Sequence, residues 1–354
     1  MKKLLAMLLA LVMVLSFAAC GTEETPVDPE VENPSEGEET PVEPEEPAVT
    51  EATYTLGLGT VVSQNTDKGQ VNATFAAVVT DAEGTIVAID LDVAQSTAKK
   101  TDAGVFTAED FDDRTKTEKE FDYNMAGASP ISKEWFEQMA AFEAWAIGKT
   151  IDYIVGVETV ESNGHQVAAN EADLYAGCTM DITAFQAAVA DSVNSTTEFT
   201  TAEEFTLGLG VVTTCTVAEA TAEKDGSVQM YSDYAAVVVA GDVVLAARLD
   251  AIQPAFGLLV DNTLTAKEDL RSKYQLKEAY NMIVASPIQA EWYVQADAYC
   301  AYVAGKTAAD LEAIELVEVN NHMVAANEAD LYAGCTMQVN SYIAATVKAI
   351  NNAD

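Results

Sequence analysis

Basic residues are scarce in this chain. Eighteen Lys and Arg stand against fifty-seven Asp and Glu over 354 residues, a formal net charge of −39 at pH 7. A surface of this sign excludes nucleic acid as a partner and excludes a polybasic grip on anionic lipid. Histidine is scarcer still, with His165 and His322 alone, and cysteines are not clustered, which speaks against a built-in transition-metal or haem site. No G-x-G-x-x-G follows a strand, and no P-loop and no G-x-S-x-G is present, so the sequence offers no signature of a dinucleotide fold, an NTPase or a hydrolase. Nothing suggests a substrate pocket, and the chain reads as something other than an enzyme.

Long apolar runs are also missing, apart from the first residues, "MKKLLAMLLALVMVLSFAAC". Lys2 and Lys3 precede an apolar stretch from Leu4 to Phe17 and a small-residue end at Cys20, the pattern of an export signal over residues 1–20 rather than a membrane span. "FAAC" resembles the lipobox of bacterial lipoproteins, which implies diacylglycerol on Cys20 and an anchor in the outer leaflet of the cell membrane. Residues 21–51 are rich in Pro and Glu and carry no Lys, Arg or aromatic residue, so they read as a disordered acidic stalk. At roughly 3 Å per residue such a stalk reaches about 90 Å.

Of five cysteines, Cys20 is assigned to lipid, and the first half of the chain then holds only Cys178. A disulfide framework is therefore not expected, although Cys215 with Cys300 remains open as one bridge.

The remainder is an internal duplication. "VAANEADLYAGCTM" at 167 recurs at 324, "YNMAGASPISKEW" at 123 answers "YNMIVASPIQAEW" at 280, and "TLGLG" at 55 answers "TLGLG" at 206. From Tyr123 onward the offset is a constant 157. This gives two similar domains, 52–194 and 203–352, joined by a short linker at about 195–203. In each copy, segments rich in Val, Ile and Thr, such as "YTLGLGTVVS", "ATFAAVVTD" and "TIVAIDLDV", predict an antiparallel meander, with "DAEG" as a turn. "SPISKEWFEQMAAFEAWAIGKT" predicts a helix capped by Ser129, with Pro130 first and Gly148 closing it, and with Trp135, Met139, Phe142 and Ala146 on one face. A short strand near "VETVE" or "IELVEV" follows. A last amphipathic helix carries Ile182, Phe185 and Val189, or Val339, Tyr342, Ile343 and Val347. The fold class is α+β, two similar domains each with a mostly antiparallel sheet and packed helices.

The repeated motif falls just before that last helix. Main-chain N–H groups after Gly177 and Gly334 are expected at a helix N-terminus, where they would favour a phosphate, with Thr179 and Thr336 beside it. A plain capping turn is the other reading of the same residues. "DLYAGCT" resembles the flavinylation motif of the FMN-binding domain family, an Asp, two variable residues, Ser or Thr, Gly, Ala and an acceptor Thr. In that family an FAD:protein FMN transferase joins FMN through its phosphate to the acceptor hydroxyl. The resemblance implies Thr179 and Thr336 as acceptors, Gly177 and Gly334 as close-approach glycines, and Asp173 and Asp330 as the acidic positions. Ala176 and Ala333 stand where the family has a hydroxyl residue, and Cys178 and Cys335 where it has Ala.

Together the lipobox, the acidic stalk and two domains with "LGLG", "YNM" and "KEW" or "AEW" resemble the doubly flavinylated electron-transfer lipoproteins of Gram-positive bacteria. The resemblance implies a lipid-anchored extracellular electron carrier with two covalent FMN groups. It would take electrons from a membrane quinone-linked donor and pass them to extracellular acceptors such as ferric iron. Two other readings stay open: a surface lipoprotein that binds a flavin or another phosphorylated ligand without a covalent bond, and a structural surface repeat. Trp135, Trp292, Tyr123, Tyr280, Met125 and Met282 are repeat-equivalent and suit either a flavin neighbourhood or the core, as do Met180 and Met337. Arg114, Lys116, Arg271 and Lys273 suit phosphate contacts or ordinary surface charge. His165 and His322 suit a proton donor or a turn histidine.

Overall fold

A computed structural model describes residues 51–353. The expected export signal, Cys20 and the acidic segment to residue 50 lie outside the described residues.

The first copy opens with a three-stranded antiparallel meander, Ala52–Asn65, Gln70–Thr80 and Ile86–Thr97. Its second turn is the anticipated one. Asp81 Oδ1 accepts the N–H groups of Glu83 and Thr85, and Gly84 takes φ +81. The second copy repeats the meander as Thr206–Ala218, Gly226–Ala240 and Val243–Ile252. The central strand also pairs at Gly226–Gln229 with Ala255–Leu258.

Alternation along these strands sorts side chains between two layers. Leu56 and Leu58, with Phe75, Ala77 and Val79, are buried against Leu207, Leu209, Tyr234, Ala236 and Val238 of the other copy. The two sheets thus share one core, in which the repeat-equivalent rings of Phe75 and Tyr234 lie 4.4 Å apart. Full burial of each such Leu or Phe contributes roughly 1.5–3 kcal/mol. On the opposite face, Ala76 and Val78 pack under the helices of the first copy, and Ala235, Val237 and Val239 under those of the second.

The same alternation explains "LGLG". While the leucines fill the shared core, Gly57 and Gly59 face the last helix, Thr183–Asp191, and the turn that ends it. A Cβ at Gly59 would stand 2.1 Å from Ala188 O, and one at Gly210 would stand 2.1 Å from Ala345 O on Asn340–Asn352. Only glycine permits backbones this close.

Two expectations are corrected here. The linker is not a plain connection, because Thr196–Thr201 forms a strand that pairs antiparallel with Ala52–Gly57. Its Thr and Phe content suits an edge strand, and Phe199 stacks on Tyr54 at 5.4 Å. The "KEW" helix also begins later than Ser129, at Trp135, and runs to Ala146, with Trp292–Val303 as its counterpart. Glu134 is the N-cap, in a capping box with Glu137. Gly148 and Gly305 follow these helices at φ +80 and +84, as closing glycines do. The anticipated short strands are hairpins, Val160–Ser162 with His165–Val167 and Val317–Val319 with His322–Val324. No helix among the described residues is long and apolar enough to cross a membrane.

Candidate functional site

The repeated loop is built against the helix that carries the "EW" motif. Gln138 lies one turn beyond Trp135 and is 1 % exposed, and its counterpart Gln295 is 0 % exposed. Burying a primary amide is costly unless every donor and acceptor is met. Here each is met. The Gln138 amide Nε2 donates to Ser129 Oγ (3.0 Å) and Lys133 O (3.1 Å), and that of Gln295 donates to Ser286 Oγ (3.1 Å) and Ala290 O (3.0 Å). Ser129, expected as a helix cap, thus serves to orient the amide. The carbonyl left over points at the loop. Gln138 Oε1 accepts the Thr179 N–H at 2.9 Å and the Thr179 hydroxyl at 3.2 Å; Gln295 Oε1 accepts the same two groups of Thr336 at the same distances.

Glu134 and Glu291, buried at the start of the same helix, hold the "YNM" turn. Glu134 accepts from the N–H groups of Met125 (2.7 Å) and Ala126 (3.2 Å), and Glu291 from that of Met282 (2.8 Å). Asn124 and Asn281 take the left-handed conformation in that turn, both at φ +57. One helix therefore joins the two repeated motifs, with Glu134 on the turn and Gln138 on the threonine.

Several expected roles change. Thr179 and Thr336 do not sit at a helix N-terminus. They follow the short helices Ala172–Tyr175 and Ala329–Gly334, and the next helices begin at Thr183 and Asn340. The N–H groups after the glycine are already engaged: Cys178 donates to Leu174 O, and Thr179 to Gln138. The loop is thus no open cradle of main-chain donors. Gly177 and Gly334 approach the helix closely, since a Cβ there would stand 2.7 Å from the Cβ of Ala141 or Ala298. Cys178 and Cys335 point into the core, 1 % exposed, and burial pushes both thiols up to about 11, against a smaller lowering by the main chain of Met180 or Met337. Cys215 and Cys300 are free thiols, so the bridge left open between them is not formed. Asp173 and Asp330 are exposed in the first turns of the short helices.

Thr179 and Thr336 remain half-buried, reachable from solvent and flanked by exposed Ala176 and Ala333. A hydroxyl that donates to a fixed carbonyl leaves its own lone pairs free to form a new bond. Loss of that proton in an ester leaves the Thr N–H still held by the glutamine. These residues fit an ester-linked group.

Around the loops, Trp135 and Trp292 are core residues, 2 % and 1 % exposed, while Tyr123, Met125, Tyr280 and Met282 are half-buried at its border. Arg114 is exposed and pairs with Asp112 and Asp122, and Arg271 pairs with Asp269. Lys116 and Lys273 are neither surface charges nor free contacts. Each ammonium lies over a tryptophan, at 5.5 Å from Trp135 and 5.4 Å from Trp292, and burial lowers both to about 8. His165 and His322 are exposed in the hairpins. A separate groove of about 1200 Å³, lined by Asp90, Glu118, Glu143, Glu203 and Glu204 among others, touches neither threonine.

Gln138 and Gln295 are the residues that sequence reasoning missed. Their identity at the offset of 157 was the available signal. Comparison with known protein families, curated proteins and solved structures finds no match for this chain.

Proposed function

We propose that the protein is an extracellular electron carrier that holds two FMN groups by phosphoester bonds, one at Thr179 and one at Thr336, and is anchored through lipid on Cys20. The observation that carries this reading is the paired geometry of the two threonines. In both copies an internal glutamine, its amide N–H groups satisfied elsewhere, fixes one hydroxyl at 3.2 Å in an otherwise small-residue loop. A plain capping turn needs no such second partner for its threonine.

FMN supplies one- and two-electron exchange when bound. The protein's own residues would do the rest. Gln138 and Gln295 hold the acceptor hydroxyl and keep the loop fixed through the Thr N–H. Gly177 and Gly334 allow the loop to lie on the helix. Half-buried Tyr123, Met125, Tyr280 and Met282 would border the group. The resemblance of "DLYAGCT" supplies the transferase as partner, and the wider resemblance of the lipobox, the acidic stalk and the two domains supplies a membrane quinone-linked donor and an extracellular acceptor such as ferric iron.

Denaturing dialysis of the flavin-loaded protein tests the covalent claim. Yellow colour that stays with the polypeptide, and maps by peptide mass to Thr179 and Thr336, is the expected result. Colour that leaves would favour a non-covalent flavin or phosphate binder, and a protein colourless from the start would favour a structural repeat.

A further inference from the structure

We infer that the second copy alone carries a proton-exchanging cluster, Lys273–Tyr231–Asp233, against the core side of the Thr336 loop, so that an electron placed at the second site is accompanied by a proton there. The inference rests on the reading of Thr179 and Thr336 as flavin carriers.

Asp233 lies on the central strand with its side chain under the helices, 2 % exposed, and Lys273 is 6 % exposed. Lys273 Nζ donates to Tyr231 Oη at 2.7 Å, and Tyr231 and Ser341 both lie close enough to the Asp233 carboxyl to act on it. Asp233 Oδ1 has no hydrogen-bond partner. A buried carboxylate oxygen left in this state costs stability and is a ready place for a proton. The cluster reaches the loop by two routes. Trp292 Nε1 donates to Tyr342 Oη at 3.0 Å, and that hydroxyl stands 4.0 Å from the sulfur of Met337, the residue after Thr336. Trp292 also lies one helical turn before Gln295, which holds Thr336.

The first copy has no such cluster. By strand register, Asn72 replaces Tyr231 and Thr74 replaces Asp233, and Phe185 replaces Tyr342 by the 157 offset. Lys116 is retained and faces one half-buried carboxyl, Asp92, itself raised by burial, whereas Lys273 faces two buried ones, Asp233 and Asp250. Burial pushes Asp233 up to about 6 and Lys273 down to about 8, bracketing neutrality. The other groups that face Asp233 stay protonated there. Burial raises the phenols of Tyr231, Tyr280, Tyr299 and Tyr342. Asp250, on the neighbouring strand, is pushed to about 6 but is held by the Tyr234 hydroxyl and the Tyr274 N–H.

In the proposed step, one electron from an external reductant adds one negative charge at the second site, and one proton from solvent moves onto the Asp233 carboxylate. No bond to carbon forms or breaks. Reoxidation by an external acceptor releases both.

The test uses the full chain as Thr179→Ala and as Thr336→Ala, each loaded by the transferase, with midpoint potentials followed from about pH 5 to about pH 9. In Thr179→Ala, which keeps only the second site, the potential should fall more steeply between about pH 6 and about pH 8, by up to one further proton per electron. Asp233→Asn, and independently the isosteric Tyr231→Phe, should bring that slope to the value seen in Thr336→Ala. Equal slopes at the two sites would overturn the inference and leave the flavin assignment standing. Absence of flavin from both chains by mass would overturn the assignment itself. In the flavin-free chain, the Asp233 carboxyl resonance should titrate near pH 6 and move upward in Lys273→Met; one that titrates at the ordinary carboxyl value of 3.8 would also overturn the inference.

Discussion

Gln138 Oε1 accepts both the main-chain N–H and the hydroxyl of Thr179, and no part of its amide is left unmet. The glutamine therefore acts as a two-point clamp on one residue. Gln138→Ala strips the Thr179 N–H, Ser129 and the Lys133 carbonyl of their partner. We expect a loss of about 1–3 kcal/mol in urea unfolding. Flavin loading should fall at Thr179 and stay unchanged at Thr336, as read by peptide mass. Equal loading at both sites would deny the clamp its role.

Gly177 is small because a helix crosses it. Gly177→Ala places a Cβ 2.7 Å from Ala141 Cβ and should displace the loop, with reduced loading of Thr179. Ala141→Gly in the same chain should restore loading, because the two sites are coupled through one contact. Failure of the second change to rescue the first would show that the glycine serves the ligand side instead.

The "LGLG" strands make a stability claim independent of any cofactor. Gly59→Ala and Gly210→Ala each drive a Cβ to 2.1 Å from a helix carbonyl, so each should cost on the order of 3 kcal/mol. Gly127→Ala, with nothing within 4 Å, is the control and should change stability by less than about 0.5 kcal/mol. Chemical denaturation of the three variants decides it.

Buried Asp233 and Lys273 give the apoprotein a defined pH response. The Asp233 carboxyl moves from 3.8 to about 6 on folding, so between these values the folded chain holds more protons than the unfolded, and stability falls as pH rises across that window. For Lys273, lowered from 10.5 to about 8, the unfolded chain holds more protons between those values, and stability rises with pH there. Measured as the difference in unfolding midpoint between wild type and Asp233→Asn, the first trend should appear as wild type losing ground from about pH 4 to about pH 6. A flat difference would place the carboxyl at its ordinary value.

The thiols next to the acceptors should be inert. Cys178 and Cys335 are buried with raised values of about 11, whereas Cys215 is half-exposed, so a native-state alkylating agent should label Cys215 first among the described cysteines. Early labelling of Cys178 or Cys335 would mean that the loop opens.

How much of this was legible in the sequence depended on the kind of force involved. Strand meanders and the buried faces of the helices follow from residue periodicity, so Trp135, Met139, Phe142 and Ala146 are buried together as their spacing implies. The duplication located the loop. What the pattern could not reveal was direction of contact. Gly177 reads as a close approach to a ligand and Gly59 as one residue of a strand, yet each also meets a neighbouring helix that only folding brings near. Likewise nothing in the helical pattern marks Gln138, because its role depends on Thr179, forty-one positions away. Thr196–Thr201 reads as a linker until the edge of Ala52–Gly57 is there to pair with it.

Intact-mass spectrometry of the soluble chain from residue 21, produced together with an FAD:protein FMN transferase, tests the central claim most directly. The account expects a gain of two FMN phosphoester units, one lost in Thr179→Ala, one in Thr336→Ala and both in the double variant. No gain, from a transferase shown to be active on another substrate, would contradict the assignment of Thr179 and Thr336 as flavin carriers.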